Sequence, residues 1–298
     1  MTKFMAGSKA FLGALGVGGA SKAAPAVTAA AASAPGALAP LAAGNTVGAA
    51  TAATANIAAA LAMAGRKVVA VDTDIGLRNL DVVLGLENRI VYDVVDVLEG
   101  RCRPRQALIR DKRMSELFLL PASQTRDKDA VQPEQMVTLC NDLRDQFDFI
   151  ILDSPAGIER GFRVALAPAD QVLIVTTPEV SAVRDADRVI GLVEAAEKGP
   201  PQLIINRLKR DMIRRGDMLS PDDVIEILAV DLIGLVPEDE AVVVSTNRGQ
   251  PLVLDGNHLA GRAFRDIARR LQGEDVPLSE PRASRGVLSR IVRFVRQA

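Results

Sequence analysis

Short runs of branched apolar residues punctuate the chain, and they constrain its fold more than any other feature. They are KVVAVD (67–72), LFLL (117–120), FIILD (149–153), VLIVT (172–176), LIIN (203–206) and LIGLV (232–236). Helical stretches lie between most of them: 54–65, ended by Gly65, then Ser181–Lys198 and Pro221–Leu228. Continuous apolar strands alternating with helices predict an α/β fold, a parallel sheet with helices on both faces. Such sheets bind ligands beyond the carboxyl ends of their strands.

Three of those ends carry a polar stop. The first run closes on Asp72-Thr73-Asp74, with Gly76 just after. The third closes on Asp153, followed by Gly157, and the fifth on Asn206-Arg207. An apolar strand ending in Asp is how phosphate-transfer sites commonly hold Mg²⁺, directly or through water. One such end is weak evidence, because a strand-end Asp is more often a turn former or helix cap. Two, each with a nearby glycine, favour the functional reading.

Composition excludes several alternatives. The 298 residues carry 36 Lys and Arg against 37 Asp and Glu, a net charge of −1, so no basic field points to nucleic acid. Two cysteines (Cys102 and Cys140) exclude a disulfide scaffold or Cys-rich zinc module, and the single His258 excludes a His-clustered metal site. The charge is unevenly laid out. Residues 1–71 hold no acid and five bases, and residues 282–298 hold no acid and five arginines. The remaining 26 bases therefore face all 37 acids in residues 72–281.

Residues 1–43 are Ala-rich, with Pro25, Pro35 and Pro40 interrupting any apolar span. Their lack of acids resembles a transit peptide, but Arg richness is missing. A disordered leader, or a front foreign to the domain, accounts for them better. Residues 36–43, with Pro40 and no β-branched residue, read as a poor central strand.

Longer blocks go beyond generic patterns. DTDIGLRNLDVVLGLENRIVYDVVDVLEG (72–100), LLPASQTRDKDA (119–130), DSPAGIE (153–159), TTPEVSAVRDADR (176–188), RGDMLSPDDVIEIL (215–228) and VPEDE with STNRGQPLVLD (236–255) resemble the MinD family. These are cell-division ATPases of the P-loop NTPase-like, deviant Walker A (ParA-like) class. The resemblance runs from about Thr51 to the C-terminus. It implies ATP and Mg²⁺ as cofactors. Asp72 and Asp74 match the switch carboxylates that organise Mg²⁺ and the attacking water, with Asn79 in the same segment. Asp153 matches the Walker B aspartate, and Asp74, Asp153 and Thr51 are the expected metal-side residues. Asn206 and Arg207 match an adenine-side pair, joined by Pro237 and Asp239. Asp185 and Asp187 fall in a helix the family uses near its dimer and partner surfaces; without the family they read as a solvated face.

The family's phosphate loop, KGGVGKTT, aligns with Gly44-Asn45-Thr46-Val47-Gly48-Ala49-Ala50-Thr51. Gly44 and Gly48 are the glycines available there. Asn45 stands at the cross-dimer lysine and Ala50 at the phosphate-loop lysine. Losing both predicts a loss of turnover on the order of 10³-fold. A wrongly joined front, a natural pseudo-ATPase and an unrecognised mode of nucleotide binding each explain the departure, and the first is favoured.

Residues 286–298, GVLSRIVRFVRQA, form a basic amphipathic helix by pattern. Val287, Leu288, Ile291, Val292, Phe294 and Val295 lie on one arc and Arg290, Arg293 and Arg296 on the other. No acid and a preceding linker favour an interfacial membrane helix over a packed terminal helix. The expected organisation is a leader (1–43), a nucleotide-binding domain (44–276), a linker (277–285) and a membrane-targeting helix (286–298). The resemblance further implies an ATP-dependent homodimer on an anionic membrane that positions the division septum. It implies partners like MinC and MinE, or another topology factor, and no nucleic acid. The expected location is cytoplasmic, peripheral on the inner face of the cell membrane, with plastid stroma and inner envelope as the alternative. A membrane-bound scaffold without turnover and a ParA-type segregation ATPase are the competing functions.

Overall fold

The computed structural model describes residues 36–42, 47–155 and 157–278. The expected leader up to residue 35, Gly44, Asn45 and the amphipathic segment 286–298 lie outside the described residues. The strands are β1 (Gly36–Ala42), β2 (Val68–Asp72), β3 (Ile109–Arg110), β4 (Leu117–Leu120), β5 (Phe149–Asp153), β6 (Gln171–Thr176), β7 (Gln202–Leu208) and β8 (Asp231–Pro237). The helices are α1 (Val47–Met63), α2 (Leu80–Leu84), α3 (Val94–Leu98), α4 (Pro104–Ala107), α5 (Pro133–Arg144), α6 (Arg160–Leu166), α7 (Val180–Ala195), α8 (Arg210–Arg215), α9 (Pro221–Leu228), α10 (Glu240–Asn247) and α11 (Leu259–Leu271).

Among the described residues the strands form one sheet in the order β3-β4-β2-β5-β1-β6-β7-β8. All neighbours run parallel except the short edge strand β3, which pairs antiparallel with β4. The α/β parallel-sheet expectation therefore holds. Alternate residues of each strand face opposite layers. Val68, Ala70, Phe149 and Ile151 pack with α1 and α11, whereas Val69, Val71, Ile150 and Leu152 pack under α5. Farther along the sheet, Val172, Ile174, Leu203 and Ile205 meet α7 and α9. Both faces are covered, which explains runs without a polar alternate.

Two expectations are corrected. Residues 36–42 were read as leader and as a poor central strand, yet β1 sits mid-sheet, registered on β5 at Gly36–Leu38 and on β6 at Leu38–Ala42. Pro40 lacks an N–H and weakens the ladder locally. The inner edges of β5 and β6 still present backbone groups that need partners, and this demand overrides β1's poor strand propensity. The second correction concerns α1. It begins at Val47, well before residue 54, so Gly48 to Thr51 lie in its first turns. Ala is the best helix former, and five of the seven residues 47–53 are Ala or Thr flanking one exposed glycine. The buried Asn56 is satisfied: its amide donates to the Ala52 carbonyl (2.8 Å) and its oxygen accepts from the Val253 N–H (3.1 Å).

The C-terminal ends of α2 and α10 meet backbone to backbone. A Cβ on Gly249, at φ +60°, would lie 2.5 Å from the Gly85 Cα. Arg113 ties the same corner, donating to the Gly249 carbonyl (2.8 Å), the Leu84 carbonyl (2.6 Å) and the Asp111 carboxylate. That pairing holds Asp111 below the usual carboxylate range, chiefly through the Arg113 hydrogen bonds, against the cost of burial. Gly249→Ala is therefore expected to destabilise by about 2–4 kcal/mol, since positive φ and a backbone clash add. Gly100→Ala, also at positive φ but facing open space, is expected to cost about 1 kcal/mol. Urea denaturation of the two variants checks the difference.

Candidate functional site

The register Asp72↔Asp153 puts the last residues of β2 and β5 side by side. Each carboxylate is buried, and each is held by a different kind of donor. Asp153 Oδ1 accepts the Thr54 hydroxyl at 2.7 Å, and the Thr51 hydroxyl also bonds this carboxylate. The two threonines are three apart on α1, so one helix face delivers both. Asp72 is held by backbone instead. Its Oδ1 accepts the Asp74 N–H (2.9 Å), and its Oδ2 accepts those of Asn79 (3.2 Å) and Leu80 (3.1 Å). Thr73 closes the arrangement, its hydroxyl donating to the Asp153 carbonyl at 2.6 Å.

Asp72 thus anchors the start of α2 while Asp153 anchors the start of α1. Between Asp72 and α2 the chain turns sharply, with Gly76 at φ +96° and Arg78 at φ +49°. A left-handed arginine is strained, and its Nε pairs with the buried Asp81 at 2.8 Å. The Gly76 N–H donates to the Ser123 carbonyl at 2.7 Å. Asp74 is buried beside this turn, and Asn79 is exposed. A cleft of about 320 Å³ opens along Thr73, Asp74, Asp129, Glu159 and Arg160.

Burial pushes both Asp72 and Asp153 well above the ordinary carboxylate range. The Asp74 charge adds to the rise at both, and the Asp72 charge adds to it at Asp153; hydrogen bonds from Thr51 and Thr54 oppose it there. Among the described residues the donors to these two close, buried carboxylates are hydroxyls and backbone N–H groups, and such a pair favours a shared proton. Such a pair suits a cation. Among the described residues no three His, Cys, Asp or Glu side chains are spaced to hold a metal alone. Mg²⁺ does not require that: it binds through one or two carboxylates, a hydroxyl, water and substrate phosphates. The Thr51 hydroxyl with Asp153 and Asp74 fits this pattern.

A second group lies along the same sheet edge. Asn206 is buried near the end of β7, and its side-chain oxygen accepts the Arg207 N–H at 2.8 Å. Arg207 is left-handed, φ +58°, at a break in the β7–β8 register between Ile205 and Leu208. The strand thus continues past Asn206 through a bulge, two residues beyond the run read from sequence. Pro237 ends β8, and Asp239 caps α10 by accepting the Ala241 N–H at 3.0 Å. Glu238 links Arg207 (3.2 Å) with Lys209 (2.7 Å) beside a cleft of about 540 Å³, lined also by Met212, Met218 and Asp223. From β5 to β7 is three strand positions, roughly 14 Å.

Thr54, Thr73 and the Arg78–Asp81 pair join the site without being expected from the sequence. Thr54 alone carried a signal, its i+3 spacing from Thr51. Of the expected phosphate-loop residues, Gly48 is exposed in α1 and Ala50 is fully buried.

Comparison with known proteins is decisive for the family. An AAA domain model matches residues 43–205. The septum site-determining protein MinD of Synechocystis is 53% identical over 244 residues, covering 82% of this chain and 92% of that protein. The chain belongs to the MinD family. The MinD fold is shared in full: the MinC:MinD cell division protein complex of Aquifex aeolicus superposes with a TM-score of 0.77 at 47% identity, covering 83% of this chain and 100% of that one. Pyrococcus horikoshii MinD, solved with Mg-ADP, superposes at 0.70 with 27% identity, covering 79% and 95%. The resemblance to this family of septum site-determining ATPases thus holds.

The raised carboxylates make a pH prediction. A carboxyl that stays protonated in the fold and ionises when unfolded costs stability as pH rises from about 4 toward its folded pKa. Metal-free protein is expected to lose stability relative to Asp153→Asn, by on the order of 1 kcal/mol per pH unit, between about pH 5 and neutrality. Mg²⁺ is expected to raise the melting temperature more at pH 8 than at pH 6. Thermal melts of both proteins with and without Mg²⁺ measure this; parallel curves would refute the shared-proton pair.

Proposed function

We propose that this chain is a membrane-cycling ATPase that positions the division septum. The observation that carries this reading is the paired strand-end carboxylates, Asp72 and Asp153, beside Thr51 on α1. Family membership supports the rest. Asp74 and Asp153 with Thr51 hold Mg²⁺, which offsets phosphate charge when bound. Asp72 fixes the switch turn through the Asn79 and Leu80 N–H groups, and that turn sets where Asp74 can hold water. Asn206, Arg207, Pro237 and Asp239 receive the adenine end. The amphipathic segment 286–298 binds an anionic membrane surface from the cytoplasmic side. A single short helix binds weakly, each basic residue contributing roughly 1 kcal/mol. Two helices joined in an ATP-dependent dimer bind far better through effective concentration. Partners are a MinC-like inhibitor, in line with the MinC:MinD complex of Aquifex aeolicus, and a MinE-like or other topology factor.

One observation favours a second reading, a membrane-bound scaffold without turnover. Residues 44–51, GNTVGAAT, contain no lysine. Phosphoryl transfer depends on positive charge at that point. Among the described residues no helix is long and apolar enough to cross a membrane, so both readings rest on the tail. Vesicle sedimentation separates them. ATP-dependent pelleting of the unmodified chain is the outcome of the cycling ATPase and ATP-independent pelleting that of the scaffold; for a scaffold, Ala50→Lys with Asn45→Lys is expected to restore ATP-dependent pelleting and raise turnover about 10³-fold. Strong ATP-dependent pelleting of the unmodified chain would overturn the assigned role of the two positions.

A further inference from the structure

The last described turn of the chain is tied down by one side chain. Arg270, near the end of α11, donates Nε to the Val276 carbonyl (2.9 Å), Nη1 to the Ile233 carbonyl (2.8 Å) and Nη2 to the Pro277 carbonyl (2.8 Å). The guanidinium thereby joins β8, α11 and the departing strand of chain. Two further bonds brace the same corner. Arg66, after α1, donates to the Gln272 side chain (2.9 Å), and Arg269 pairs with Glu274 (2.7 Å). Partial burial pulls the Arg270 pKa down, while neighbouring Asp266 opposes that.

Such a clamp is more than folding requires. Residues 273–278 add no buried apolar side chain to the core. Without Arg270, Glu274 stays paired with Arg269, and residues 275–278 keep only the local bond from the Val276 N–H to the Glu274 carbonyl. Three carbonyls on one planar, five-donor group also make a site that lysine cannot replace.

We propose that Arg270 is a positioning residue for membrane binding: it fixes the point where the chain leaves the globule and so shortens the tether of the amphipathic tail. This rests on the membrane reading above. With the clamp closed, eight residues (278–285) separate the globule from residue 286; released back to Glu274, which Arg269 still holds, eleven (275–285) do. The effective concentration of a second tethered tail falls as about the −3/2 power of tether length. Releasing both tethers of a dimer therefore weakens vesicle binding about 1.6-fold. The charge of the tail is untouched, so the effect belongs to geometry.

The test uses the full chain in the Ala50→Lys, Asn45→Lys background, with phosphatidylglycerol–phosphatidylcholine vesicles and ATP. Arg270→Lys keeps the charge and loses the three-way clamp; Arg270→Gln loses both. A three-residue Gly-Ser-Gly insertion after Leu278 lengthens the tether with the clamp intact, and guards against misfolding of the Arg270 variants. All three are expected to bind about 1.6-fold more weakly. Amide exchange, and cleavage after Glu274 by a glutamyl protease, are expected to accelerate for residues 274–278 in both Arg270 variants and not in the insertion. Unchanged exchange in Arg270→Lys would overturn the clamp. Faster exchange with unchanged vesicle binding would overturn its membrane role, as would weakening in Arg270→Gln alone, which would mean charge. Absence of pelleting by the parent protein would overturn the membrane reading itself, and the tether role with it, while exchange still decides the clamp.

Discussion

The Asp153 carboxylate is the contact on which the site depends. It is fully desolvated, at the end of a central strand, and in register with a second buried carboxylate, Asp72. A pair like this cannot stand alone in a low-dielectric interior. Its supports come from two directions: hydroxyls of Thr51 and Thr54 on α1, and, at Asp72, backbone N–H groups of the switch turn. These supports dictate topology. For α1 to offer its threonines to Asp153, it must start beside the end of β5. That requires the strand before it, β1, to be β5's neighbour. The strand order β2-β5-β1-β6 meets that demand. It also creates the point where successive connections diverge, the place where such sheets bind ligands.

The polar stops of β2 and β5 were legible because an apolar run leaves a terminal Asp no role in its own strand. Their pairing was not: register between strands 77 residues apart is fixed by the intervening sheet order, which no local pattern carries. The strand β1 shows the reverse failure. Its sequence, GALAPLA, argues against a central strand on every propensity scale. Its place is set by the unpaired inner edges of β5 and β6, so the reason for β1 lies outside β1. Helix α1 was legible in its second half, where Ile57 and Leu61 pattern the buried face, and illegible in its first, where only alanines, threonines and one glycine occur. Near the end of β7, Asn206 and Arg207 were visible as residues. The bulge that turns Arg207 outward to Glu238 was not, because positive φ at an arginine has no sequence signature.

The placement of the chain's exit bears on how nucleotide could control the tail. Helix α1 places Thr51, in its second turn, at the carboxyl edge of the sheet and runs toward the opposite edge, where Arg66, just after the helix, meets Gln272. The fifteen-residue rise from Thr51 to Arg66 separates nucleotide chemistry from the chain's exit by roughly 20 Å. No described side chain spans that distance, and α1 is packed from Ala50 to Ala62, with Ile57, Ala58 and Leu61 fully buried. A helix so confined transmits little displacement without repacking the core. Direct release of the tail by a bound phosphate would need such repacking. Association of two copies needs none, since it changes how many tails act together rather than the conformation of either. The clamp at Arg270 fits the proposed cycle in the same way: with the exit held, a change of nucleotide state would reach a membrane through the number of tails joined, and not through a shift within one copy.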